Sequence, residues 1–344
     1  MATPAKKQSF LGGAAILAAA VVVVKIIGAV YKLPLNNILG GAGKTYFDTA
    51  YRIYNFLLTF STAGLPLAIS RMTSQAHAKG LENEKRRIFS TAIWLFFGLG
   101  LVCSVLMFFR ADALARFLNN SLAATAVQAL APAVFCVCLL ACMRGYTQGQ
   151  GNMAPTAVSQ VLEALLKLGI GLPLAWYALH IGLSDELGAA GAIVGVTAGT
   201  VVSMLFLCIY LATHRNRQEA LDTPSSSGTI IKSILLIGVP ITLSNSAMSI
   251  INIIDTKIVM GRLQSALGLS ETAAAVLNGQ YSMAMDMPNM VASFVYPVTM
   301  SLIPFAAAAL ARKDHAEADR IISSAFRLIA ILALPAGVGL SVLS

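Results

Sequence analysis

Nine apolar segments, each close to the length of a membrane-spanning helix, follow one another along this sequence of 344 residues. A helix needs about 20 apolar residues to cross the hydrocarbon core of a bilayer. Charged residues make up only 11% of the chain, against about 25% in an average soluble domain. We therefore predict an all-α, polytopic membrane protein. The predicted spans are 10–31, 46–70, 88–109, 123–143, 155–181, 188–213, 230–254, 273–309 and 321–343.

Lys and Arg are distributed unevenly between the loops that join these segments. If the N-terminus is cytoplasmic, 14 basic residues fall on the cytoplasmic side and 5 on the outer side. Cytoplasmic loops normally carry this excess, so we predict a plasma-membrane protein with its N-terminus inside. The net charge is +9. The sequence has no basic stripe with interleaved aromatics, however, which argues against nucleic acid as a partner. The outer group comprises Lys32, Lys44, Arg110, Arg116 and Arg262.

A polar linker and an internal repeat divide the chain. Residues 214–229 contain three consecutive serines after Pro224 and several charged side chains, so they are expected to form a flexible cytoplasmic linker between 1–213, with six spans, and 230–344. Residues 66–92 align with 299–325 without gaps, which indicates a parallel repeat. A complete repeat needs six spans in the second half. Only three are present, so we expect a truncated C-terminal lobe that lacks at least three spans.

Several charged residues fall within the predicted spans, where an ionised side chain costs about 2.5–3.5 kcal/mol. Lys25 lies too deep in the first span to reach the cytoplasmic surface easily, which indicates a polar cavity. Asp48 and Arg52 are one helical turn apart, as are Glu163 and Lys167. Each pair could bond internally or face a cavity, and the sequence leaves both interpretations open.

Further charges lie in the second half of the chain. Asp255 and Lys257 end the seventh span, and by the repeat they correspond to the part of the first span that carries Lys25 and Lys32. Matching charged clusters in two bundles predict one central cavity, although a simple span end is the alternative. Asp286 precedes a proline in the eighth span, where a carboxylate suits either ion coupling or solvation of a helix end.

The sequence offers no catalytic or metal-binding set. Three of its four histidines fall in predicted loops and the fourth, His180, stands at the end of a predicted span, and its five cysteines lie in apolar runs without acidic or histidine neighbours. Metal sites need such neighbours as ligands, and isolated thiols usually serve as small packing residues. We predict a protein that is not an enzyme and has no cofactor.

Four stretches resemble a known family. They are KIIGAVYKLPLNNILG from Lys25 to Gly40, STAGLPLAIS from Ser61 to Ser70, GVPITL from Gly238 to Leu243, and Ile254-Asp255. They are similar to the polysaccharide biosynthesis family, in the branch of stage V sporulation protein B and the YtgP- and MurJ-like lipid II flippases. The resemblance covers essentially the whole chain, and its first two stretches are the most specific.

This resemblance implies the fold of the multidrug/oligosaccharidyl-lipid/polysaccharide (MOP) exporters, also called MATE- or MurJ-like. In that fold two six-helix lobes form a V around a central cavity, and nine of twelve to fourteen spans would be present here. Family members carry essential basic residues in the first span. Lys25 falls on one such position, and Tyr31 occupies another with Lys32 beside it. Met283 stands near an arginine of Gram-negative members.

The implied substrate is an undecaprenyl-pyrophosphate-linked cell-wall precursor in a membrane of ordinary lipids. Rocking of the two lobes would alternate access to the cavity. A cation-coupled multidrug exporter and a non-transporting fragment are the alternatives, and the oligomeric state stays open. The candidate anion ligands are Lys25, Arg52 and Lys257, and Tyr31, Lys32, Asp255 and Asp286 complete the candidate cavity.

Overall fold

The computed structural model describes residues 10–62, 64–214, 222–289 and 314–343, and all regular secondary structure in them is helical. A 3₁₀ turn precedes α5 and a π-helical turn separates α6 from α7. The helices are α1 (Phe10–Thr62), α2 (Leu65–Ala78), α3 (Glu82–Phe109), α4 (Ala111–Phe117), α5 (Ala124–Gly149), α6 (Ala154–Leu166), α7 (Leu172–His180), α8 (Asp185–Thr213), α9 (Ser227–Ser265), α10 (271–289) and α11 (His315–Leu343).

Seven helical stretches among the described residues are long and apolar enough to cross a membrane. The prediction of an all-α polytopic protein is therefore confirmed. The first two predicted spans lie mostly within the single long helix α1, which has 53 residues. The eighth predicted span begins in α10, and its remaining residues lie outside the described part of the chain.

Helix α1 folds back on itself at Gly40. At 1.5 Å per residue a straight helix of 53 residues would be about 80 Å long, far more than a bilayer core of about 30 Å. Gly40 adopts a positive φ of 61° and leaves the helical conformation, which is easy for a residue without Cβ. The rings of Tyr31 and Phe47 are only 6.5 Å apart, although 16 residues of straight helix span about 24 Å. The two limbs of α1, 10–39 and 41–62, are therefore antiparallel.

Helix α5 lies at the centre of the bundle formed by α1–α8. Most of its residues are buried, including Leu130, Val134 and Cys138. Small residues allow its neighbours to approach closely: a Cβ on Gly145 would meet the backbone of Pro66, and one on Gly100 would meet Cys138. Close approach through small residues is how helices associate where the surrounding lipid is as apolar as their side chains.

Helices α9 and α10 pack against this bundle. The buried face of α9 follows a four-residue spacing through Ile230, Ile234, Gly238, Thr242 and Ser246, as expected for one stripe of a helix. At one end of the molecule, three turns meet: Gly40, 119–121 and 266–270. Gln264 there donates to the carbonyl of Asn119, and Ser121 donates to Glu271. We call this the Gly40 end, and we call the opposite end the linker end.

Asp222, near the middle of the predicted linker, binds the beginning of α3. Its carboxylate accepts hydrogen bonds from the backbone N–H of Asn83 at 3.1 Å and of Glu84 at 2.9 Å. The residue before α3, Leu81, has no side chain that can cap the helix, so a residue from a distant part of the chain takes that role. Ser225 N–H strengthens the attachment by donating to the Glu84 carboxylate at 2.6 Å.

Asp222→Asn is expected to loosen this attachment. Partial desolvation raises the pKa of Asp222, but hydrogen bonds from Asn83 and Glu84 and the charge of Arg86 outweigh it, so the pKa is lowered. A lowered pKa means that the charged carboxylate favours attachment above its ordinary pKa and that the contribution is lost as the pH falls below it. We expect several-fold faster hydrogen exchange at Asn83 and Glu84 in the variant at neutral pH. Unchanged exchange there would contradict the capping role.

Candidate functional site

Asp286 on α10 lies between two lysines of α1. Its carboxylate is 2.7 Å from Lys32 Nζ and 3.1 Å from Lys44 Nζ. Lys44 Nζ is also 2.6 Å from the carboxylate of Asp48, and Asn36 donates to Asp286 at 3.4 Å. The Lys44 and Asp286 side chains are only 5% and 14% exposed. Buried charges are tolerable when they are paired in this way, and these two lysines and two aspartates balance in charge.

This ionic cluster corrects two sequence interpretations. The predicted spans leave Lys44 in an outer loop, whereas the structure buries it, because the chain re-enters a helix directly after Gly40 and α10 covers it. Asp48 was expected to pair with Arg52 or face a cavity, and it pairs with Lys44 instead. Lys44 and Arg52 each stand four residues from Asp48, so the spacing alone is compatible with either pair.

Arg52 makes the second polar contact between α1 and the C-terminal helices. Its guanidinium donates to the carbonyl of Asn252 at 3.0 Å and to the hydroxyl of Thr256 at 2.7 Å, and it is 3.5 Å from the Asp255 carboxylate. The three partners lie on one face of α9. Farther toward the linker end, the hydroxyls of Thr59 and Ser249 are 3.0 Å apart. Polar contacts therefore continue along the line where α1 meets α9.

A second charged pair lies inside the α1–α8 bundle. Arg144 on α5 is 3.0 Å from Glu163 on α6 and donates to Ser159 at 2.9 Å. Both charges line a cavity of about 440 Å³ with mixed polar and apolar walls, which also include Tyr54 and Gln160. Arg144 lies one residue beyond the predicted span 123–143, and only the extent of α5 to Gly149 places it within a helix.

Lys167 does not form the internal pair with Glu163 that its spacing allowed. Its ammonium group lies 4.7 Å from the centre of the Tyr31 ring and 4.6 Å from that of Tyr51, and it donates to the Tyr51 hydroxyl at 3.2 Å. A π-helical turn, which separates α6 from α7, starts at Lys167. Cation–π contacts with two aromatic faces stabilise the charge here.

The structure sorts the seven predicted site residues into separate groups. Lys32 joins Asp286, Arg52 joins Asp255, and Tyr31 is buried against Lys167. Lys257 instead lies over the ring of Phe117, 3.7 Å from its centre. Lys25 is exposed on α1 and forms no ion pair with the described residues. Lys25, Arg52 and Lys257 therefore lie in three different surroundings, and their role as anion ligands stays a prediction.

These features define a class of protein. Ionisable side chains buried between membrane-spanning helices, with ion pairs between distant parts of the chain, are typical of polytopic membrane proteins with polar pathways. Within that class, the chain belongs to the polysaccharide biosynthesis protein family, whose model matches residues 10–309. The family resemblance seen in the sequence is thereby confirmed.

Three curated relatives from Bacillus subtilis (strain 168) are similar to most of this chain. The membrane protein YabM is 27% identical over 338 residues, which cover 97% of this chain and 62% of YabM. Stage V sporulation protein B is 26% identical, with coverage of 94% and 62%. Lipid II flippase MurJ is 23% identical, with coverage of 98% and 65%. The chain thus spans less than two thirds of the length of these relatives.

Solved structures confirm the fold. A MATE protein in complex with MaD3S superposes with a TM-score of 0.64 at 18% identity, over 97% of this chain and 74% of that one. The inward-facing conformation of a multidrug resistance MATE family transporter of the MOP superfamily gives a TM-score of 0.60 at 19% identity, with coverage of 92% and 72%. The predicted MOP-exporter fold is therefore correct.

Proposed function

We propose that this protein is a flippase that translocates a lipid-linked cell-wall precursor with a pyrophosphate group, such as lipid II, across the plasma membrane by alternating access. The observation that carries the proposal is the contact of Lys32 and Lys44 with Asp286, which joins α1 to α10 through charges. A polar contact of this kind can separate and re-form, whereas a continuous apolar core cannot be wetted without a large loss of hydrophobic stabilisation.

The substrate anion can compete with Asp286 for the two lysines. Lys32 is 44% exposed, so a phosphate oxygen can reach it before the contact opens. Exchanging one anion for another keeps both lysines paired, which avoids the cost of an isolated charge at the buried Lys44. Binding would then favour the arrangement in which α10 has moved away from α1, because only that arrangement leaves the lysines available. Substrate binding and opening are thereby coupled.

In this mechanism, the protein has two lobes, 1–213 and 230–344. The cytoplasmic linker 214–229 joins them, and the N-terminus lies inside the cell. In that orientation the Gly40 end faces outward, and the ionic cluster closes the outer side. Lys25 lies 15 residues before Gly40, about 22 Å along the first limb of α1. It would then make the first contact with pyrophosphate arriving from the cytoplasm. Support comes from the basic-residue distribution and from the name of the relative MurJ.

A cation-coupled multidrug exporter is the second candidate. Glu163 lines the 440 Å³ cavity together with Tyr54, and a carboxylate beside an aromatic ring suits an organic cation. Arg144 neutralises this carboxylate, however, at a separation of 3.0 Å. Binding of lipid II and of a cationic drug such as ethidium to the purified protein would separate the two functions. Ethidium binding without lipid II binding would overturn the flippase proposal.

Lys25→Ala is expected to lower transport of a fluorescent lipid II analogue in proteoliposomes by about tenfold, which corresponds to about 1.4 kcal/mol. The reason is the loss of the Lys25 cation from the first limb of α1, where it forms no ion pair with the described residues. Lys79→Ala is the matched control, because Lys79 caps the C-terminus of α2 on the surface, and it should transport like the unaltered protein. Equal transport by both variants would remove Lys25 from the mechanism.

A further inference from the structure

An almost entirely apolar groove lies between the second limb of α1, α3, α4 and α9, away from the ionic cluster. Its volume is about 590 Å³, within the range of about 300–1,000 Å³ typical of sites for small ligands. Cys103, Leu106 and Met107 of α3 line one wall, and Ile250 and Ile254 of α9 line another. Cys103 and Arg110 are seven residues apart, so the groove extends about 10 Å along α3.

Two basic side chains lie at the Gly40 end of this groove. Arg110, the residue that follows the last turn of α3, is part of the groove wall. Lys257 lies over the ring of Phe117, which also lines the groove. Between α3 and the 3₁₀ turn at Ser121, Arg110 and Arg116 are basic and Asp112 alone is acidic. The nearby Asp255 carboxylate is held by Arg52, and no acidic side chain is among the described residues that line the groove, so an anion at its rim meets positive charge.

The surroundings place this end at the level of lipid headgroups. Phe109 and Phe117 are 77% and 54% exposed and flank Arg110 in the chain. The membrane-spanning helix α3 ends at Phe109, so Arg110 directly after it stands where hydrocarbon meets headgroups, with the exposed apolar rings on the hydrocarbon side. A ligand that matches the groove therefore needs an apolar chain of limited length inside the groove and an anionic group at its Gly40 end.

We propose that the groove binds one acyl chain of an anionic membrane phospholipid, whose phosphodiester pairs with Arg110 and Lys257. Basic pockets between membrane helices bind anionic headgroups by the same chemistry. The tail of the transported substrate fits less well, because its head moves between the two faces while these two cations stay at one end. The lipid bridges α3 and α4 to α9 and so stabilises the contact between the two halves of the chain.

The test compares lipid retention by variants of the full chain in native mass spectrometry, with phosphatidylglycerol and phosphatidylethanolamine added in equal amounts. We expect selective retention of phosphatidylglycerol, and at least tenfold weaker binding by Arg110→Gln/Lys257→Met. Arg262→Gln removes an exposed charge near the end of α9 and outside the groove, so it should bind like the unaltered protein. Leu106→Trp fills the groove and should also prevent retention, with both cations in place.

Three results would overturn the proposal. One is equal retention of the two phospholipids. Another is undiminished phosphatidylglycerol binding by the double variant or by Leu106→Trp. The third is displacement of phosphatidylglycerol by undecaprenyl phosphate at lower concentration than by added phosphatidylglycerol, which would assign the groove to the substrate tail. A melting curve for each variant separates lost binding from lost folding, because a folded variant keeps one cooperative transition.

Discussion

Asp286→Lys is expected to lower the melting temperature of the purified protein by roughly 10 °C. The substitution places a third ammonium group beside Lys32 and Lys44, with only Asp48 left to neutralise them. Breaking a buried ion pair costs about 3–5 kcal/mol, and each kcal/mol shifts the midpoint by about 2–4 °C in domains of 150–250 residues. Because Lys32 is partly exposed, the greater part of this cost should come from Lys44.

A charge swap distinguishes the ion pair from a general loss of packing. Lys32→Asp combined with Asp286→Lys restores one favourable pair across the contact and leaves the Lys44–Asp48 pair intact, so we expect at least half of the lost stability to return. Asp319→Lys is the control, because Asp319 is exposed on α11, and it should shift the midpoint by less than about 1 °C. A double variant no more stable than Asp286→Lys alone would show that the pair does not hold α10 against α1.

The helices of this protein could be predicted from the sequence because span length is a local property. Any helix in lipid needs about 20 apolar residues, and α3, α5 and α8 appear close to the predicted positions. The turn at Gly40 was also expected between two spans. The long-range partners were not predictable, because they depend on which helices become neighbours. Lys44 and Arg52 each stand four positions from Asp48, and the spacing fits both pairs. Arg52 instead contacts Asp255 of α9, and Lys44 pairs with Asp48 beside α10.

Residues of the candidate site show the same limit. The sequence made Lys32, Arg52, Asp255 and Asp286 candidates for a polar cavity, and the structure joins them in pairs across α1, α9 and α10. The sequence could not indicate that Lys257 contacts the ring of Phe117, 140 positions earlier in the chain. Nor could it reveal the role of Lys44, since a Gly-rich stretch before a lysine is equally typical of an exposed loop.

Gly279→Ala is expected to lower the melting temperature by roughly 5 °C, although it adds a single methyl group. A Cβ at position 279 would overlap the carbonyl oxygen of Gly41, where α10 contacts the second limb of α1 backbone to backbone. Neither backbone can move aside like a flexible side chain, so the two helices must separate. Overpacking of this kind typically costs about 1–3 kcal/mol, and it also stretches the neighbouring contact of Asp286 with Lys44. Gly64→Ala should act similarly at the linker end, because its Cβ would overlap the carbonyl of Gly238.

The same substitution at Gly98 supplies the control, since it reverses the expected sign. Gly98 lies inside α3, and a Cβ there meets no atom within 4 Å. Alanine is favoured over glycine in a helix interior by about 1 kcal/mol, so Gly98→Ala should leave the melting temperature unchanged or raise it slightly. Differential scanning fluorimetry of the three variants in one detergent measures the contrast. If Gly279→Ala and Gly98→Ala had the same melting temperature, α1 and α10 would not be in close backbone contact. The ionic cluster that depends on that contact would then lose its geometric basis.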